Sequence, residues 1–171
     1  MDPILGKARS GQNALERLAN AIPGFKGYRE RELRRDADRL QREFLAGRLE
    51  ANKRALDELA DRATRGGVLD AINDVEKARK RLDRVAARLR YAQRGYSGFF
   101  DAVKVDESAL ARVYDLDLSL VEAVEAVRAA AEAARAGAPA EVRAALAAVT
   151  GAVDRLDERL REREEILGGL S

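Results

Sequence analysis

The chain has no histidine, no cysteine and no tryptophan, and only three prolines among 171 residues. Without cysteine there is no disulfide, no thiol nucleophile and no thiolate metal site. Without histidine the commonest metal ligand and general base is missing. A ferritin-like di-metal site, which needs Glu-x-x-His on two helices, cannot be assembled. No apolar run approaches the ~20 residues of a membrane span. The opening stretch MDPILGKARSG has neither the apolar core nor the cleavage site of a secretory signal. The glycine pairs Gly66-Gly67 and Gly95 to Gly98 lack the Lys-Ser/Thr that follows a phosphate loop. No grouping of Asp, Glu, Lys, Arg, Ser or Tyr suggests proton transfer or covalent catalysis. A non-enzymatic protein is therefore expected, with no cofactor, no metal and no small-molecule substrate. The expected location is cytoplasmic, or at the inner face of a membrane.

What is present is helical rhythm. Aromatics are few, four Tyr and four Phe, while 36% of residues are charged, a mixture typical of long exposed helices. From Val68 the apolar residues step by three and four through Ala71, Val75, Ala78, Leu82, Val85, Leu89 and Ala92. Val142, Leu146, Val149, Val153, Leu156, Leu160 and Leu167 repeat the pattern, with Arg163 as its one polar slot. Side chains at this spacing line one stripe of a helix, which must be buried against other helices.

Four main helices are predicted, at about residues 28–64, 68–94, 107–136 and 140–167. The first starts its stripe with Leu33, Ala37, Leu40 and Phe44. It then shifts by one to Leu45, Leu49, Leu56 and Leu59, a discontinuity near Gly47 that suggests a bend or a change of partner face. Arg65-Gly66-Gly67 closes it, and Asp106 has the placing of an N-cap. Pro23 and Pro139 fall at segment boundaries. The expected fold is all-α: an elongated antiparallel bundle of two coiled-coil-like hairpins plus a short N-terminal amphipathic segment. Its parts are residues 1–27, hairpin 28–94, aromatic loop 95–105 and hairpin 106–171, with both hairpins in one domain.

Four features are weighed as candidates for function. Tyr91, Tyr96, Phe99 and Phe100 place half the aromatics within ten residues. They would either plug one end of the bundle or anchor a protein partner, a membrane interface or single-stranded nucleic acid. Lys77, Arg81, Arg84 and Arg88 share a helix face that is either solvated and paired to neighbouring acids or a contact for phosphates and anionic lipid. Asp117 sits at the edge of an apolar stripe, where pairing with an arginine or with the aromatic loop is favoured over metal binding. Ile4, Leu15, Leu18 and Ile22 lie on one side of the N-terminal segment, either docked on the bundle or lying in a membrane interface.

A short amphipathic helix ahead of a long helical hairpin resembles the layout of the phage-shock and membrane-remodelling scaffolds. The resemblance is one of layout and transfers no residue roles. Charge is also segregated: residues 1–104 carry 24 Lys+Arg against 16 Asp+Glu, and residues 105–171 carry 8 against 14. The expected function is a helical scaffold or protein-interaction module, self-associating or binding a protein partner. The alternatives are a peripheral protein on anionic membranes and, more weakly, a nucleic-acid-binding accessory protein.

Overall fold

A computed structural model describes residues 3–92 and 98–169, with the side chains of residues 3–10 and of Pro139 outside the description. The fold is an all-α multi-helix bundle, with no strand among the described residues. Six long helices build it: α1 (Pro3–Ala21), α2 (Arg34–Glu50), α3 (Lys53–Arg65), α4 (Asp70–Tyr91), α6 (Glu107–Ala136) and α7 (Val142–Gly169). A four-residue turn of helix, α5 (Gly98–Asp101), lies between α4 and α6.

The helix predicted over 28–64 is divided. Its first residues form a loop and a short 3-10 turn (Arg31–Leu33), and a second break separates α2 from α3 at Ala51 and Asn52. The Asn52 N–H bonds the Leu49 carbonyl at 3.1 Å, a tightened turn, and its side-chain amide donates to Arg48 O at 3.3 Å.

The inward face of α2 also differs from the expected stripe. Ala37, Leu40 and Phe44 are only half-buried and Leu33 is 47% exposed, whereas Arg34, Asp38, Gln41 and Arg42 are buried. Asp38, Arg42, Leu45, Leu49, Asn52, Leu56, Leu59 and Ala63 are spaced alternately by four and three and are all buried. The heptad therefore runs without a phase shift, and polar residues fill three of its slots.

The helix ends are closed by specific contacts. After α3, Gly67 adopts φ +70°, its N–H bonds Thr64 O, and the Val68 N–H bonds Ala63 O at 2.9 Å. This is a Schellman cap, and it turns the chain back into α4. Asp106 caps α6 by accepting the Ala109 N–H at 2.8 Å. Arg42 donates to the carbonyls of Leu89 and Arg90 at the end of α4. Arg62 donates to Ala134, Arg135 and Gly137 at the end of α6. A cation among the last carbonyls satisfies free acceptors and opposes the helix dipole.

Helices α2 and α3 pack on α4, α4 on α7, α7 on α6, and α6 against α2 and α3. The Ala-, Leu- and Val-rich core fills the space between them, with Leu49, Leu56, Leu59, Leu82, Leu120 and Leu156 fully buried. Each such leucine contributes roughly 2–3 kcal/mol relative to exposure. A second core lies at the end of the bundle where α1 packs on α6. It joins Leu18, Ile22, Phe25, Tyr28, Phe99, Val113, Tyr114 and Leu167. Close approach of α1 depends on Gly11, where a Cβ would lie 2.7 Å from Ala111 Cβ and 2.9 Å from its Cα.

Candidate functional site

Between the two cores lies a layer of charge. Asp38 comes from α2, Asp117 from α6 and Arg163 from α7, each at an inward heptad position. Arg163 donates from Nε to Asp117 Oδ1 at 2.5 Å and from Nη2 to Asp38 Oδ1 at 2.7 Å. Arg42 donates from Nε to the other Asp38 oxygen at 2.8 Å. The Tyr28 hydroxyl donates to Asp117 Oδ2 at 2.5 Å, and the Tyr28 N–H is received by the Tyr114 hydroxyl at 2.9 Å. The two tyrosine rings stack, and Phe25 and Phe99 meet Tyr28 edge-on.

Burial pushes the Asp117 carboxyl above its usual range, while the charge of Arg163 and the bonds from Arg163 and Tyr28 pull the other way. Burial by itself would lower the Arg163 guanidinium, but Asp117 and Asp38 outweigh it and hold it above its ordinary value. Burial, then the Asp117 charge, raises the Tyr28 phenol well above its ordinary value, so it stays a donor. Tyr28, Asp38, Arg42, Asp117 and Arg163 are all buried, so this layer has no surface to offer a ligand from solvent. It joins three helices and the α1–α2 loop. Gln41 beside it has no hydrogen-bond partner for its side-chain amide among the described residues.

The aromatic candidates divide. Phe99 is fully buried and Phe100 half-buried, its ring under the Arg35 guanidinium at 5.5 Å. Phe99 thus plugs the bundle end, and Arg34 fastens its segment by donating to the carbonyls of Tyr28, Phe99 and Ala102. Tyr91 is 76% exposed at the end of α4, and Val103 is 82% exposed after α5. Tyr96 lies outside the described residues.

Leu18 of α1 and Ile22 just beyond it are in the second core and Leu15 is half-buried against it, so their apolar surface is occupied inside the molecule. The side chain of Ile4 lies outside the description.

The basic face lies over a groove between α4 and α7. Arg81 bonds Asp154 at 2.8 Å, and Arg88 is paired with Asp157 and Glu164. Lys77 reaches only Asp74, at 3.6 Å. Arg84 has no ion-pair partner among the described residues, and neither has its neighbour Lys80. The groove, ≈ 630 Å³ in volume, is lined by Lys77, Lys80, Arg81 and Arg84 of α4 and by Arg143, Ala147, Thr150 and Gly151 of α7. The four face residues are thus not equivalent: Arg88 and Arg81 both bridge α4 to α7, but Arg88 lies outside the groove, whereas Lys77, Arg81 and Arg84 border its open space.

No family model, curated protein or solved structure matches the chain. No group of three or more Asp or Glu among the described residues is arranged to hold a metal ion, and no described helix is long and apolar enough to cross a membrane.

Sequence reasoning reached Asp117 and Arg163 singly and missed Tyr28, Asp38 and Arg42 as their partners. The available signal was the polar residues at inward heptad slots on separate helices, carrying opposite charges.

Proposed function

We propose that this chain is a non-enzymatic helical scaffold that binds a protein surface, in the first instance a second copy of itself. In this reading the helices act as four columns, two antiparallel coiled-coil-like hairpins in which α2 and α3 share one column and α1 flanks the bundle. The observation that carries the reading is the exposure of two large apolar side chains, Tyr91 at the end of α4 and Val103 after α5. Large apolar groups on an otherwise highly charged surface gain most from being covered by another protein.

Sedimentation velocity over a range of concentrations tests this. Reversible association is expected for the wild type, and a monomer of unchanged melting temperature for Tyr91→Ser/Val103→Ser. A wild type that stays strictly monomeric at high micromolar concentration removes self-association. A second reading, contact with an anionic surface, is favoured by Lys80 and Arg84 on α4, which have no ion-pair partner among the described residues.

A further inference from the structure

We infer that the groove between α4 and α7 is a binding site for a compact, multiply phosphorylated anion. Five cations line it, Lys77, Lys80, Arg81 and Arg84 from α4 and Arg143 from the facing wall, against two carboxylates, Asp74 and Asp154. The ion pairs within it are exposed: Arg81 to Asp154, Lys77 to Asp74, and Arg143 to Asp70 just outside. Pairs of this kind are weak and exchange readily for a more highly charged partner. Among the described residues Lys80 and Arg84 have no such partner to release. Arg155, one turn further along α7, has Nη1 3.4 Å from the Cβ position of Gly151.

The extent of the cation row favours a compact ligand. Lys77 and Arg84 are separated by about 10 Å along the helix axis. Beyond Arg84 the row ends, because Arg88 is held by Asp157 and Glu164. A polynucleotide backbone requires a longer rail of available cations. A cluster of two or three phosphates fits between the walls, and the groove volume is that of a small-molecule site. The floor suits such a ligand too: Ala147 and Gly151 are small, and the Thr150 hydroxyl is a hydrogen-bond donor. The same phosphate cluster can belong to a free metabolite or to a lipid headgroup.

Isothermal titration of the full chain with inorganic tripolyphosphate tests the site. Binding is expected, weakening as salt is added. Lys80→Gln/Arg84→Gln is expected to weaken it by about tenfold or more, and the charge-matched control Arg31→Gln/Arg112→Gln to leave it unchanged. Gly151→Leu fills the floor without altering charge. The backbone accepts it, since a Cβ there meets only the flexible Arg155 guanidinium. It too should abolish binding, with the melting temperature retained. Co-sedimentation with phosphatidylcholine vesicles, with and without a phosphoinositide, separates the sources. Recruitment by the phosphoinositide, lost in both groove variants, assigns a headgroup; tripolyphosphate binding without recruitment assigns a soluble ligand. Equal affinity of the groove variants and the control overturns the proposal, as does failure to bind either probe. Duplex DNA that binds the groove and is not displaced by tripolyphosphate also overturns it.

Discussion

Arg163 of α7 donates to Asp117 of α6 at 2.5 Å, with both side chains out of contact with solvent. Neither charge is tolerable there alone. Asp38 supplies the second carboxylate and Arg42 the second guanidinium, so the layer is electrically balanced across α2, α6 and α7. Above it the core is Leu, Val and Ala, and below it aromatic rings mix with Leu, Ile and Val. Sliding α7 by one turn would remove Arg163 from both aspartates and leave Arg163 and Asp117 unpaired, while Asp38 keeps Arg42. The layer therefore fixes the register of the helices, whatever its net contribution to stability.

Replacing Arg163 with Met is expected to cost about 3–5 kcal/mol in chemical denaturation, because the buried Asp117 loses its cationic partner and Asp38 keeps Arg42 but loses Arg163. Arg155→Met, on the exposed side of the same helix, should change stability by less than about 0.5 kcal/mol. Similar losses for the two variants would show that the buried pair has no special weight.

Gln41 is fully buried, and its amide has no hydrogen-bond partner among the described residues. Gln41→Met keeps the volume and removes the polar atoms, and a gain of about 1 kcal/mol is expected in urea denaturation. A loss of stability on this substitution would contradict an unsatisfied amide.

Two helix glycines should respond in opposite directions to alanine. At Gly11 the new Cβ meets the Ala111 Cα at 2.9 Å. Overpacking of about 1–3 kcal/mol then exceeds the ~1 kcal/mol returned by helix propensity. At Gly47 nothing lies within 4 Å, so Gly47→Ala should stabilise by about 0.5–1 kcal/mol. Thermal melts of both variants check the signs.

Arg62 holds three carbonyls at the end of α6. Arg62→Met should cost about 1–2 kcal/mol and speed hydrogen exchange of the Gly137 amide, which bonds Ala133 O in the last turn. Exchange confined to wild-type rates there would mean that the last turn is held by packing alone.

Asp106 supplies a pH-dependent contribution. The Ser108 hydroxyl, and then the Ala109 N–H, hold its carboxyl below the usual range. A depressed folded-state value means that the stabilisation is full above the unfolded-state value and is lost as pH falls through the folded one. The melting-temperature gap between wild type and Asp106→Ala should be constant near neutrality and close in acid, below the normal aspartate range. A gap that persists through the acid limb would assign the effect to packing.

The all-helical architecture was legible in the sequence because burial on a helix obeys a fixed spacing, and α4 and α7 bury the positions their ladders name. The cap at Asp106 and the turn at Gly66-Gly67 were legible for a similar reason: both are local, set by residues within one turn of each other. What the sequence could not supply was the identity of partners far apart in the chain. Asp38 and Arg163 are 125 positions apart, and only the packing of α2 against α6 and α7 makes their charges neighbours. The inward face of α2 was misassigned because hydrophobicity by itself selects Leu33, Ala37 and Leu40, whereas the other helices had already placed a complementary charge opposite Asp38. Phe99 and Phe100 are adjacent and chemically identical, yet one is inside and the other half out. Local sequence sets which side chains favour burial, but only the assembled helices set which of them find an interior to enter.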